Sequence, residues 1–278
     1  MKTTFRLLLV SLLFIGTASL VKAQSPAVTH NTWTSGAALP TPVSSSTAAV
    51  VKNAIYVVGG NDAAGFGGSG IVADVQIYNA TTNTWSTAAS IPAGVEWPSS
   101  AVVKNILYVF GGTTDDSTAS NAVWAYNPKT KAWSGKAAMP TARWGSEAVV
   151  EKKTNIIYVI GGYDGHGGYL ANVESYNPAT NTWTSLAADP TARVESCAGG
   201  IGSKLYDAGG YIGNGGAGAA TTVNESFQLS SNKWTTLAHM PQGSMFGSSA
   251  VYKGRLYCFG GWASFSGTPI NNVQIYQP

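Results

Sequence analysis

Residues 155–162 read Asn-Ile-Ile-Tyr-Val-Ile-Gly-Gly. Isoleucine, tyrosine and valine fill a pleated strand well. The two glycines then let the backbone leave the strand through conformations closed to other residues. Reading outward, the pattern recurs at 55–60, 107–112, 205–210 and 256–261, with the second glycine at 60, 112, 162, 210 and 261. One supersecondary unit is therefore written five times along the chain.

Around each glycine pair the other strands fall into place. A small apolar strand such as Ala148-Val149-Val150 precedes it. A loop of varying length leads to a third strand ending in Tyr78, Tyr126, Tyr176, Phe227 or Tyr276. A turn of the Asn177-Pro178-Ala179-Thr180-Asn181 kind leads to a fourth strand, which carries Trp85, Trp133, Trp183 or Trp234 seven residues after its aromatic. Pro92, Pro140, Pro190 or Pro241 closes the unit. Each Trp is expected to wedge between units, burying ~150–250 Å².

Four-stranded units of this length resemble the kelch class of β-propeller. The Gly-Gly pairs, the spaced Tyr and Trp, and the junction Met139-Pro140-Thr141-Ala142-Arg143 carry the resemblance. It implies an all-β fold, a five-bladed propeller of four-stranded antiparallel blades with units at about 41–89, 93–137, 141–187, 191–238 and 242–278. The last unit stops at Tyr276-Gln277-Pro278, while Thr29-His30-Asn31-Thr32-Trp33 reads as a fourth strand. Residues 29–36 are thus expected to pair into the last blade, closing the ring and hiding sheet edges.

Residues 1–23 read as a secretory signal, with Lys2 and Arg6 flanking the apolar run Leu7 to Ile15, then Val21-Lys22-Ala23. The apolar run is short for a bilayer span. Residues 24–278 are then an exported propeller, periplasmic or secreted and not transmembrane. The chain has 16 basic and 13 acidic residues, and the signal takes Lys2, Arg6 and Lys22, so 13 of each remain. That balance excludes a general affinity for nucleic acid. Cys197 and Cys258 lie in strand patterns of different units. Export permits a disulfide, and the sequence is read as two buried free thiols.

A meander places its connections on two faces. The short-turn face gathers Lys52, Lys104, Lys129, Lys131, Lys152, Lys153, Lys204, Lys233, Lys253 and Arg255 beside Glu151, which suits an anionic surface as partner. The other face holds the long loops, where function usually sits. Its richest loop is Tyr163-Asp164-Gly165-His166-Gly167-Gly168-Tyr169. Asp164 and His166 are ligand contacts there, too few for a metal. No cofactor or metal site is expected.

The junctions between units add a second group. Aligned on the first strands, Glu96, Arg143 and Arg193 take equivalent places, Trp97, Trp144 and Phe246 the next, with Glu147 and Glu195 nearby. Two arginines suit a carboxylate clamp, aromatics a ring face, and Glu147 and Glu195 proton transfer. No Ser-His-Asp order or phosphate loop is present. Exported members of the resembling family include sialic-acid mutarotases, copper radical oxidases and binding propellers. The copper pattern is not visible, the histidines being His30, His166 and His239. The expected function is an exported binding module whose long-loop face takes a carbohydrate or protein ligand. The alternative is a sugar-active isomerase or mutarotase.

Overall fold

The computed structural model describes residues 34–63, 70–213 and 218–278. The signal assigned to 1–23 and the strand assigned to 29–33, with Trp33, lie outside the described residues. Every named element is a strand. Blade 1 comprises β1 (Thr47–Val51), β2 (Ala54–Val58), β3 (Val75–Asn79) and β4 (Thr84–Thr87). Blade 2 comprises β5 (Ser99–Val103), β6 (Ile106–Phe110), β7 (Val123–Asn127) and β8 (Ala132–Gly135). Blade 3 comprises β9 (Glu147–Glu151), β10 (Ile156–Ile160), β11 (Val173–Asn177) and β12 (Thr182–Ser185). Blade 4 comprises β13 (Cys197–Ile201), β14 (Lys204–Ala208), β15 (Asn224–Gln228) and β16 (Lys233–Thr236). Blade 5 comprises β17 (Ser248–Tyr252), β18 (Arg255–Phe259) and β19 (Val273–Tyr276). Each is an antiparallel meander in sequence order, so the five-bladed all-β propeller is observed.

The glycine pairs earn their place by close approach. Gly161 and Gly162 have φ of +64° and +109°. A Cβ on Gly161 would lie 2.5 Å from the Arg193 carbonyl oxygen, which accepts the Gly162 N–H at 2.8 Å. The next junction presses directly on the strand exit, leaving no room for a side chain.

The Tyr–Trp spacing has an equally local cause. Tyr176 and Trp183 are cross-strand partners with ring centroids 4.9 Å apart. Trp183 Nε1 donates to the Ala137 carbonyl at 2.8 Å, in the segment trailing the preceding blade. Asn181, at φ +57°, accepts the Tyr176 hydroxyl at 2.7 Å and the Ala137 N–H at 2.9 Å. The Trp-to-carbonyl bond recurs from Trp85 to Ala37, Trp133 to Ala89 and Trp234 to Ala187. Each Trp therefore wedges between blades as the sequence predicts.

The apolar core lies between blades. One cluster joins Tyr108 and Phe110 of blade 2 to Ile157, Val159 and Tyr176 of blade 3. Similar clusters join blades 1 and 2, 3 and 4, and 4 and 5. Cys197 on β13 and Cys258 on β18 are disulfide-bonded, with Cα atoms 5.8 Å apart. This corrects the reading as free thiols. The inner strand of blade 4 packs on the second strand of blade 5, which brings the two sulfurs together.

The first strands contact in series from β1 through β5, β9 and β13 to β17, and no comparable contact returns from β17 to β1. The fifth sheet has three strands, and residues 34–36 belong to no named strand. Tyr252, Phe259, Val273 and Ile275 are exposed on one face of blade 5, and Val50 is exposed on β1. Among the described residues, a seam thus separates the last blade from the first. Among the described residues no helix is long and apolar enough to cross a membrane.

Candidate functional site

Each junction makes a two-residue ladder with the loop after its own blade's glycine pair. The bridges are Ser44 to Asn61, Glu96 to Thr113, Trp144 to Tyr163, Val194 to Tyr211 and Met245 to Trp262. The residues following them, Ser45, Trp97, Gly145, Glu195 and Phe246, all have positive φ. Their backbones are linked around the axis. Trp97, Gly145 and Glu195 each donate N–H to the preceding member at 2.9 Å, and Phe246 to Glu195 at 3.3 Å. The sequence alignment of the junctions is therefore one residue out. Glu96 matches Trp144, whereas Arg143 and Arg193 match Val43, Val95 and Ser244.

Arg143 and Arg193 do not reach the mouth. Their side chains are 0% and 1% exposed. Arg143 donates to the carbonyls of Gly161 and Asn172 at 2.9 and 3.0 Å and pairs with Glu174 at 2.8 Å. Arg193 donates to the carbonyls of Gly209 and Val223. It pairs with Glu225, and at 3.5 Å with both Asp189 and Asp207. Meanwhile their own carbonyls accept the N–H of Gly112 and Gly162 in the preceding blades. Both guanidiniums are taken up by carbonyls and carboxylates inside the fold, and neither remains for a ligand carboxylate. Burial, with Asp207 alongside, pushes the Asp189 carboxyl far above its usual range.

What faces the axis is a cavity of about 1320 Å³ at the long-loop end. Around it runs a closed circuit of aromatic rings. Trp97 meets Trp144 at 6.0 Å between centroids, Trp144 meets Tyr163 at 4.7 Å, and Tyr163 meets Tyr169 at 5.3 Å. Tyr169 meets Tyr211 at 5.2 Å, Tyr211 meets Phe265 at 4.8 Å, Phe265 meets Phe246 at 5.8 Å, and Phe246 returns to Trp97 at 5.6 Å. The return step passes blade 1, which lines the cavity with Ser44, Ser45 and Ser46 instead.

Glu147 and Glu195 line the same cavity. Glu147 opens β9, and Glu195 holds a positive φ that directs it to the rim. Burial, reinforced by Glu195 and Asp207, pushes the Glu147 carboxyl well above the usual carboxylate range. Burial raises Glu195 to about 7. The sequence reading thus brought together Trp97, Trp144, Phe246, Glu147 and Glu195. It missed Tyr163, Tyr169, Tyr211 and Phe265. A signal existed for two of them, since Tyr163 and Tyr211 directly follow glycine pairs.

A family profile described as the KLHDC2/KLHL20/DRC7 Kelch-repeats domain matches residues 19–138 and 99–278. The chain belongs to the kelch-repeat family. Among curated kelch proteins it is similar to Kelch-like protein terF of Aspergillus terreus, 27% identical over 255 residues, covering 89% of this chain and 56% of that protein. It is also similar to Alpha-scruin of Limulus polyphemus, 30% identical over 110 residues, 37% of this chain and 12% of that one. The chain spans little more than half the length of the first of these and far less of the second. A solved structure titled "Structure of YjhT" superposes with a TM-score of 0.75 at 20% identity, covering 88% of this chain and 85% of that one. That likeness concerns the fold.

The remaining candidates of this kelch propeller have structural duties. Asp164 accepts the N–H of His166 at 2.7 Å and of Gly168 at 2.8 Å, bonds that hold its carboxyl below the usual range. It thereby folds the loop that sets Tyr163 beside Tyr169. His166 is exposed. Glu96 is 2% exposed and accepts from Asn61 at 3.2 Å; burial and Asp116 raise its carboxyl. Among the described residues no group of three His, Cys, Asp or Glu is placed to hold a metal. At the opposite end Lys52, Lys104, Lys152, Lys153 and Lys253 are exposed in the short turns, while Glu151 caps its own turn through Lys153 and Thr154.

Proposed function

We propose that this kelch propeller is an exported binding module that takes a carbohydrate or protein ligand at its long-loop mouth. The observation that carries the reading is the aromatic circuit from Trp97 through Tyr169 to Phe246, rimming a cavity large enough for a small ligand or a partner's side chain. Pockets of this kind, mostly apolar with a few polar groups, are where ligands bind. Export is supported by the charged, apolar and small-residue order of residues 1–23. It is also supported by the Cys197–Cys258 disulfide, a bond that persists in oxidising compartments. Screening sugars and short peptides by thermal shift and Trp fluorescence tests the binding. Hits are expected to vanish in the Trp97→Leu, Phe246→Leu double variant. Hits that persist there place the site elsewhere.

A second reading, a mutarotase-type sugar isomerase, is favoured by one observation. Glu195, raised to about 7, stands near Glu147, whose carboxyl is raised as well, and a carboxyl that ionises near neutrality suits acid–base transfer. With Arg143 and Arg193 buried, the sugar would be held without a carboxylate anchor. Saturation-transfer NMR of sugar anomers reads this directly. Exchange accelerated by the parent and lost in Glu195→Gln is expected under that reading, and exchange at the uncatalysed rate for every sugar rejects it.

A further inference from the structure

We propose that the long-loop mouth takes an organic cation, whose ammonium head passes the aromatic circuit and settles against the carboxylates of Glu147 and Glu195. This rests on the mouth being the binding site and names the chemistry of what enters it.

The wall of the cavity has charge of one sign. Its charged lining residues are Asp116, Glu147 and Glu195, and none of the described lining residues is Lys, Arg or His. The loop stretches 64–69 and 214–217 contain no charged residue either. A cleft lined by one sign of charge concentrates ions of the other. An anionic ligand would meet the same wall as a repulsion.

The two half-buried carboxylates are also unlike the buried acids of the fold. Glu174 and Glu225 pair with arginines, and Glu151 accepts from its own turn. The side chains of Glu147 and Glu195 make no hydrogen bond or ion pair among the described residues. Half-buried in the cavity wall and unpaired, they are charges that repel one another until something neutralises them. Protons do so in part, since both carboxyls are raised. A cation in the cavity does so in full.

The rim suits the same guest. Aromatic faces attract ammonium groups through the ring quadrupole, and cages of several rings are the recurrent recognition device for methylated ammonium. Neighbouring rings here are tilted against one another by 36° to 84°, and Trp97, Trp144, Tyr163, Tyr169, Tyr211, Phe246 and Phe265 all line the cavity. Trp144 lies just before Glu147 on blade 3, and Tyr163, Tyr169 and Tyr211 add phenols from the loops of blades 3 and 4, the blades that carry the two acids.

The pH dependence follows from the groups around Glu195. Glu147 on β9 interacts with Glu195, Asp207 on β14 acts on Glu147, and the same cavity wall holds Asp116 on the blade 2 loop and the phenols of Tyr163, Tyr169 and Tyr211. Arg193 turns its guanidinium away into blade 4. As pH rises through about 7, Glu195 loses its proton and gains the charge that a cation needs. Cation affinity therefore increases with pH, and at fixed pH binding releases protons.

Calorimetric titration of the full chain with choline and with its neutral isostere, 3,3-dimethylbutan-1-ol, at low ionic strength tests the proposal. Choline is expected to bind at least tenfold more tightly than the isostere at pH 8, to weaken at pH 5.5, and to weaken tenfold or more in Glu147→Gln, Glu195→Gln. That variant keeps side-chain volume and removes two unpaired charges, so its melting temperature should not fall. A parallel titration with acetyl-Gly-Lys-Gly-amide and its Nε-acetylated form separates the sources. Tighter binding of the unmodified peptide than of choline assigns the cation to a partner's lysine, and the reverse assigns it to a free ammonium compound. Equal binding of choline and the isostere, or choline affinity unchanged in the double Gln variant, overturns the proposal. If neutral ligands bind through Trp97 and Phe246 while no cation does, the mouth stands and the cation falls. If nothing binds at the mouth, both fall.

Discussion

Arg143 shows what one buried charge does in this fold. Its guanidinium satisfies two carbonyls and Glu174 in blade 3 while its own carbonyl holds Gly112 in blade 2. Removing one partner of such a pair leaves the other charged and buried, at a cost of about 3–5 kcal/mol. Arg143→Ala is expected to lose that much by chemical denaturation, and Arg143→Met with Glu174→Gln to recover most of it. An unchanged midpoint for Arg143→Ala would mean the pair carries no load. Blades 1 and 5 manage without the pair, using Gln76 and Gln274 to bond the backbone of Thr41 and Gln242. The arginine positions are plain in the sequence and their direction is not. An arginine beside a tryptophan looks the same whether it faces inward or outward. Matching Trp97 to Trp144 also shifts the frame by one, whereas counting three residues back from each first strand restores it.

At the scale of the element, the sequence was legible because each strand pattern serves a repeated contact. The glycine pairs, the Tyr–Trp register and the Asn turn each have one local cause, so five copies reinforce the reading. The disulfide was less legible, because it depends on how β13 meets β18 across a blade interface rather than on any repeat. It closes a separation of 61 residues, for which loop-closure entropy gives about 4 kcal/mol. Reduction is therefore expected to lower the thermal midpoint markedly. The same reductant should leave a Cys197→Ala, Cys258→Ala variant unmoved. Identical midpoints for oxidised and reduced parent would show that the inter-blade packing alone fixes blade 5.

For the whole molecule, protection should run unevenly around the ring. Blade 3 has packed neighbours on both faces, whereas among the described residues blade 5 is packed on one and exposes Tyr252, Val273 and Ile275 on the other. Amide exchange is expected to be fastest in β17 to β19 and slowest in β9 to β11, since local opening follows buried contact. Equal protection of the two blades would mean the seam is sealed in solution. The seam also has a mechanical meaning. A split ring deforms at its gap, and the width of its bore follows the distance between its ends. Here an aromatic contact that reaches past blade 1, Phe246 to Trp97, is also part of the rim that would hold a guest. A guest gripping both rings draws the ends together, and whatever joins the ends narrows the bore around the guest. By reciprocity the two events favour each other by the same free energy, so the tightness of the mouth is set partly at a place no guest touches.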